Sequence, residues 1–248
     1  MNALVSAELL KLRTTRALWV AVGLVLTLSV LLVAFVSSVA GKDGQPELVS
    51  DATFLLAPAR LAGGVVFLIS LLATAGEFRH RTIVTTHLAE PRLARVLAAK
   101  LLACGSVGLV LGVALELTMG VAGAVALRQH DVAVVISGDS IAAALAVSGV
   151  LALHALLGVA LGALVRNTTA AVTIAFVWVF VVEGVAPVVL RRPDLTDLLP
   201  AGAIDAALSA GSPIVAGSPS PLAGLLMLVG YVGLVAALAS VLDRRREV

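Results

Sequence analysis

Six long apolar segments constrain the fold of this 248-residue chain more than any other feature. A bilayer core about 30 Å thick is crossed by roughly 20 apolar residues in helical form. The segments that meet this requirement lie near residues 17–40, 55–75, 101–127, 141–165, 170–190 and 222–242. Hydrophobic residues make up 60% of the chain, well above the content of an ordinary soluble domain. The sequence therefore predicts an all-α integral membrane protein, with residues 1–248 forming a single transmembrane domain of six helices.

A basic leader precedes the first span and carries Lys11, Arg13 and Arg16. The span ends in Ser38-Val39-Ala40, which loosely resembles a cleavage site, but its apolar run exceeds the 7–15 residues of a signal peptide. We therefore expect a retained helix. The leader itself is moderately amphipathic, which predicts either a helix on the inner membrane surface or a frayed tail.

The distribution of positive charge predicts the orientation. With six spans and both termini on one side, twelve of the 17 lysines and arginines fall on the side of the termini and five on the other. Acidic residues concentrate in the connections of that second side. Because cytoplasmic loops retain an excess of Lys and Arg, both termini are predicted to be cytoplasmic.

The connection between spans five and six is rich in Pro and Gly, which predicts short, broken structure. Within it, Ala203 to Ala210 is apolar enough for a short helix. This helix is expected either to re-enter the bundle or to lie in the outer loop, and the sequence favours neither.

Pro91 divides the loop between spans two and three, because it lacks an N–H and restricts the residue before it. We expect a short cytoplasmic helix over Phe78–Ala89, a break, and a third helix that begins near Pro91. Its first turns place Arg92, Arg95 and Lys100 on one basic face, suited to lipid headgroups or a partner. Topology and lipid account for these three cations, but they do not account for the acidic Glu77.

This loop resembles that of the type-2 ABC exporter permeases, in which a Glu-x-Arg-x-x-Thr segment follows the second span and a Pro-Arg pair and a Lys come next. The matching residues are Glu77, Arg79, Thr82, Pro91, Arg92 and Lys100. Leu199-Pro200 and the apolar Ala203–Leu208 also resemble the family's segment before the last span. The resemblance implies that the loop holds a coupling helix for an ATPase subunit, with contacts expected from Glu77, Phe78, Arg79, Arg81, Thr82, Pro91 and Arg92.

The chain contains no phosphate-binding loop of the Gly-x-x-x-x-Gly-Lys-Ser/Thr type, and its one Gly-Lys pair, Gly41-Lys42, is followed by Asp43. We therefore expect no enzymatic activity and no cofactor in this chain, with ATP and Mg²⁺ bound by the separate ATPase. Six spans make one transmembrane half, so the resemblance implies a second copy or a paralogous permease as partner. It also implies membrane lipid contacts, no nucleic acid, and location in a cell membrane, expected to be a bacterial inner membrane.

Apart from Arg60 near the outer end of the second span, three ionisable residues lie inside the spans, where a charge costs at least about 2.5–3.5 kcal/mol, and each is therefore a functional candidate: Glu116, His154 and Glu183. Counted along the helices, the two glutamates reach the same level in the outer half of the bilayer. They are candidates for an acidic layer in a path for a cationic or amphipathic substrate. Interhelical hydrogen bonding is the alternative for all three, and we favour it for His154.

Two ridges of small residues continue from these polar side chains at four-residue intervals. Glu116 follows Gly108 and Gly112, and His154 precedes Gly158 and Gly162. Such ridges allow helix backbones to approach closely, so these faces are expected to pack against protein.

Three alternatives to an exporter permease remain open. A secondary transporter or channel is the first, although the basic loop has no counterpart after span five. A membrane enzyme is less favoured because no His-Glu-x-x-His motif occurs. A non-transporting assembly subunit is the third. The single Cys104 supports neither an intrachain disulfide nor a metal site.

Overall fold

A computed structural model describes residues 1–43, 52–80, 82–83, 86, 88, 90–128, 138–191, 193–209 and 219–246. These residues form helices and contain no strand. In chain order the helices are α1 (Asn2–Thr14), α2 (Arg16–Asp43), α3 (Ala52–Arg79), α4 (Leu93–Arg128), α5 (Gly138–Val165), α6 (Thr168–Phe176), a π-helical segment (Val177–Val182), α7 (Glu183–Leu190), α8 (Pro193–Thr196), α9 (Pro200–Leu208) and α10 (Pro221–Arg246).

Six stretches of helix are long and apolar enough to cross a membrane, which confirms the predicted all-α architecture and number of spans. They are Arg16–Phe35, Pro58–Arg79, Ala94–Ala126, Ile141–Val165, Thr168–Val189 and Pro221–Leu242. The third was predicted to enter the membrane near residue 101 from a helix beginning close to Pro91. Helix α4 begins at Leu93 and runs without interruption for 36 residues.

The fourth span lies at the centre of the bundle. Helix α5 packs against α3, α4 and α10, and half of the residues in its span are buried. The fifth and sixth spans are peripheral, with 6% and 11% of their residues buried. The protein therefore has a core built around α5 and an apolar periphery suited to lipid.

Small residues bring the central helices together. A Cβ atom added to Gly158 would lie 2.3 Å from the Phe67 carbonyl oxygen of α3, and one on Gly112 would lie 2.5 Å from Cα of Ser148 in α5. At Gly108 and Gly162 the neighbouring backbone would lie 2.7 and 2.9 Å from an added Cβ atom. Because lipid offers no hydrophobic drive for helix association, this close van der Waals packing stabilises the bundle.

The leader is a helix packed against the bundle and not a frayed tail. Its side chains Glu8 and Leu12 are buried, and α1 contacts the beginning of α4. The backbone N–H of Thr15 bonds the Leu12 carbonyl where the helix ends, immediately before α2. A buried carboxylate on the leader requires a cation inside the protein.

Candidate functional site

Four charged side chains meet at the end of the bundle that carries α1. Lys100 Nζ lies 2.7 Å from Glu8 Oε2 and 2.6 Å from Glu77 Oε1. Lys11 Nζ lies 2.7 Å from Glu8 Oε1 and 3.0 Å from the same Glu77 Oε1. We call Glu8, Lys11, Glu77 and Lys100 the ion network. It joins α1, the last turn of α3 and the second turn of α4.

The ion network is mostly removed from solvent. The side chains of Lys100, Glu8 and Glu77 are 6%, 10% and 11% exposed, whereas that of Lys11 is 46% exposed. Two ammonium groups face two carboxylates, so the formal charges balance. The stability of the protein should depend on all members of the network, because removing one partner leaves an uncompensated buried charge.

Hydrogen bonding perturbs the outermost member of the network. Burial alone would lower the pKa of Lys11, but its hydrogen bonds to Glu8 and Glu77 outweigh that effect and raise the pKa above its usual value. The second oxygen of Glu77, Oε2, is buried and has no hydrogen-bond partner among the residues that the structure describes.

The prediction that Lys100 shares an exposed basic face with Arg92 and Arg95 is wrong. Arg92 and Arg95 are exposed, as a headgroup-facing surface requires, but Lys100 points into the protein towards Glu8. The physical reason is the leader: its folding back against α4 supplies a carboxylate that spacing within the loop cannot reveal. The same contact accounts for Glu77, whose partners are internal cations and not lipid.

The segment between α3 and α4 begins where α3 ends, two residues after Glu77 of the ion network. Phe78 and Arg79 end α3, so the predicted loop helix does not begin at Phe78 as a separate element. Ile83, Thr86 and Leu88 have helical geometry, but much of the predicted Phe78–Ala89 helix, including Arg81, lies outside the described residues. Arg79 and Thr82 are exposed.

Leu88 is a feature that the sequence analysis did not single out. Its side chain is 82% exposed, the highest exposure among the large apolar residues that the structure describes. The backbone around Leu88 is held by a hydrogen bond in which the Glu90 N–H donates to the Thr86 carbonyl oxygen at 2.9 Å. A single exposed apolar side chain is common on protein surfaces, so Leu88 shows that this part of the segment is accessible and does not by itself mark a partner surface.

Glu90 fixes the turn into α4. Its carboxylate accepts the Arg92 N–H at 3.2 Å and lies 3.4 Å from the Arg95 guanidinium. These contacts, the Arg92 N–H first, lower the pKa of the Glu90 carboxyl below its usual value. The carboxylate thus supplies an acceptor for an N–H that the start of a helix leaves unpaired.

A cleft of about 430 Å³ opens beside this segment, at the same end of the bundle. Its polar lining includes Arg92, Arg95, Lys100 and Arg166. The Arg166 guanidinium carbon lies 5.1 Å from the centre of the Phe78 ring, so α3 and the end of α5 are also joined here by a cation–π contact.

Glu183 contacts the connection before the last span. Its Oε1 accepts the Trp178 indole N–H at 2.8 Å and the Ala201 backbone N–H at 3.2 Å. Ala201 lies in the first turn of α9, where backbone N–H groups lack helical partners and favour an anion. Glu183 therefore caps α9.

The other two intramembrane candidates have different surroundings. Glu116 is partly buried, and its carboxyl group makes no hydrogen bond within the part of the chain that the structure describes. His154 Nδ1 lies 2.8 Å from the carbonyl oxygen of Val150 on its own helix, so the interhelical hydrogen bond predicted for His154 is not found among the described residues; its ring packs against Gly63 of α3. The described residues contain no group of three metal-ligating side chains.

Two further contacts hold the segment around α9. Asp205 of α9 forms an ion pair with Arg60 of α3, and the Tyr231 hydroxyl donates to the Leu198 carbonyl. Burial raises the pKa of Asp205 although Arg60 opposes the shift. Tyr231 lies ten residues after Pro221, so Leu198 lies beside α10 roughly 15 Å from its start.

Comparisons with protein-family models and with curated proteins find no match for this chain. The fold and its six apolar helices indicate a multi-pass membrane protein.

Proposed function

We propose that this chain is the membrane-spanning permease subunit of an ATP-driven exporter, moved by a separate ATPase that docks on the segment between α3 and α4. The observation that carries the proposal is that the segment is exposed while the end of α3, from which it starts, is tied to other helices. Arg79 and Leu88 are accessible, whereas Glu77 immediately before them is tied to α1 and α4.

The anchored base gives the docked ATPase a mechanical connection to the spans. A force on the exposed segment acts on α3 directly, on α1 and α4 through Glu77, and on α5 through the Phe78–Arg166 contact. For this to drive transport, the ATPase must bind one arrangement of these helix ends more tightly than the other.

The orientation that this function needs has the termini and the docking segment in the cytoplasm, where ATP is available. The excess of Lys and Arg on that side supports it. A cell membrane, in particular a bacterial inner membrane, and a second permease copy or paralogue remain part of the proposal.

The contacts of Leu198, Glu183 and Asp205 support a re-entrant connection at the opposite end. Backbone at membrane depth is tolerated where protein covers it, and α9 packs on α10 and α5. Glu183 then positions α9, which leaves Glu116 as the stronger candidate for contact with a cationic or amphipathic substrate.

Charge changes on the exposed segment test the docking. Arg79→Glu reverses a charge and Leu88→Glu introduces one, and both variants, purified from the native membrane, should lose most of the co-purifying ATPase. The matched control is Arg13→Glu, an exposed charge on α1 at the same end. Retention of the ATPase by both segment variants would contradict the proposal.

A secondary transporter is the second candidate, supported by Glu116, a partly buried intramembrane carboxyl that can carry a proton. Transport that persists without any ATPase and follows a proton gradient would favour this candidate.

A further inference from the structure

The ion network divides into two pairs that each carry no net charge. One pair lies within α1, where Lys11 Nζ is 2.7 Å from Oε1 of Glu8. The other pair joins α3 to α4, where Lys100 Nζ is 2.6 Å from Oε1 of Glu77. The costly event in a buried network is the loss of one partner of an ion. Because each pair is complete, α1 can separate from the bundle without leaving a buried ion unpaired.

Two contacts between the pairs attach α1 to the helix ends. Lys100 Nζ lies 2.7 Å from Oε2 of Glu8, and Lys11 Nζ lies 3.0 Å from Oε1 of Glu77. Each contact sets an ammonium of one pair against a carboxylate of the other. The charges of α1 therefore fit the bundle in one arrangement, with the carboxylate towards α4 and the ammonium towards α3.

The apolar attachment of α1 is small. Leu12 is the one apolar side chain of α1 that is buried, whereas Leu9 and Leu10 are 36% and 62% exposed. The first span begins at Arg16, so α1 lies outside the segments that can cross the membrane. Since stabilisation by hydrocarbon follows the apolar area that is buried, the two contacts between the pairs supply much of the attachment of α1.

The joint between α1 and α2 is a single residue. Thr15 follows α1 with an extended backbone, at φ −79° and ψ 109°, and α2 begins at the next residue. The Trp19 indole N–H donates to the Arg13 carbonyl at 2.8 Å, which keeps the end of α1 close to α2. Residues between two helices absorb the dihedral changes of hinge movements. Rotation at Thr15 therefore moves Glu8 and Lys11 away from the bundle together.

We propose that α1 is a strap that exchanges between the docked form seen in this structure and a form released from the ends of α3 and α4. Release uncovers the Lys100–Glu77 pair and leaves it intact. Because α3 ends two residues after Glu77, the docked strap stiffens the base of the docking segment. That consequence for docking rests on the proposed function, whereas the exchange of the strap between its two forms does not.

Exchanging the two charges of α1 tests the strap. Glu8→Lys/Lys11→Glu keeps an ion pair within α1 but sets like charges against Lys100 and Glu77. Amide hydrogen exchange is measured on the full chain in lipid nanodiscs without any ATPase, so the result is independent of the transport function. In this variant α1 should exchange at least about tenfold faster, while α3 and α4 keep their protection. Arg13→Gln, on the exposed face of α1, should leave the exchange of α1 unchanged.

A second exchange of charges distinguishes a mismatched strap from a damaged helix. Adding Glu77→Lys/Lys100→Glu to the first variant restores opposite charges at both contacts, so the protection of α1 should return. In the parent protein, α1 should exchange faster than the first turns of α4, because it is released without them.

Four results would overturn the proposal. Exchange of α1 and the first turns of α4 at one common rate in the parent would show that they open as one unit. Unchanged protection of α1 in Glu8→Lys/Lys11→Glu would show that the contacts between the pairs do not hold it. Failure of the second exchange of charges to restore protection would separate the effect from charge matching. Loss of cooperative thermal unfolding in the first variant would show that the fold requires docked α1.

Discussion

The Lys100 ammonium lies 2.7 Å from Oε2 of Glu8, although 92 residues separate the two in the chain. This contact joins the leader helix α1 to the start of α4 in a site that solvent hardly reaches. Glu77 accepts from the same ammonium at 2.6 Å, so the end of α3 belongs to the same unit. The leader is therefore an integral part of the bundle, joined to the helix ends on both sides of the segment between α3 and α4.

Replacing Lys100 with Met should destabilise the protein by about 3 kcal/mol or more. The substitution keeps an unbranched apolar side chain, one atom shorter than lysine, but leaves Glu8 and Glu77 with only the half-exposed Lys11 as a cation. Thermal unfolding in detergent measures the effect. Arg128→Met, which removes an exposed charge at the far end of α4, is the control and should be nearly neutral.

The same substitution should be rescued when the carboxylates are also neutralised. In the triple variant Glu8→Gln/Glu77→Gln/Lys100→Met no buried charge is left without a partner, so most of the lost stability should return. A triple variant less stable than Lys100→Met would show that these four side chains do not act as one network.

The elevated pKa of Lys11 predicts an alkaline limit to the stability of the α1 contact. A group whose pKa is raised on folding stabilises the folded state fully below its unfolded value, here 10.5, and that contribution is lost as pH rises through the folded value. Lys11→Arg keeps its charge at high pH. Thermal midpoints of the two proteins should diverge above about pH 10.5 in favour of the variant. A constant difference from pH 9 to pH 11.5 would contradict the assignment.

The spans were predictable because hydropathy along the chain is sufficient to identify them, and Pro91 marked the start of α4 to within two residues. The ion network was not predictable, because Glu8 reaches Lys100 only once α1 folds back against α4. The contact of Glu183 with the first turn of α9 was not predictable from the sequence for a similar reason. Counting along helices placed it level with Glu116, but its contact with Ala201 depends on how deeply the connection before α10 lies against the bundle.

Close packing at Gly158 should make that position intolerant of a methyl group. Gly158→Ala places Cβ 2.3 Å from the Phe67 carbonyl oxygen and should cost about 1–3 kcal/mol. The control is Gly120→Ala on α4, where no atom lies within 4 Å of the added carbon. Alanine's better helix propensity should make that variant equal to or slightly more stable than the parent in thermal unfolding.

Substitutions at Glu183 distinguish a cap from a substrate contact. Gln supplies the same acceptor oxygen to Trp178 and Ala201, whereas Ala supplies none, so Glu183→Ala should lower stability by about 1 kcal/mol and Glu183→Gln by less. Export should survive Glu183→Gln but fall in Glu116→Gln. Loss of export in Glu183→Gln with stability unchanged would indicate that Glu183 contacts the substrate.

Proximity of the ATPase to Leu88 tests the central claim most directly. Cys104 is the one cysteine of the chain and is buried, so Cys104→Ala provides a background for single cysteines. In it, Leu88→Cys labelled with a maleimide–benzophenone reagent should form a photo-cross-link to the ATPase subunit in membranes, because the benzophenone inserts into C–H bonds and requires no cysteine on the partner. Leu222→Cys, an apolar site at the opposite end that is also well exposed, should form none. Absence of a product from Leu88→Cys, or equal products from both positions, would contradict docking on the segment between α3 and α4.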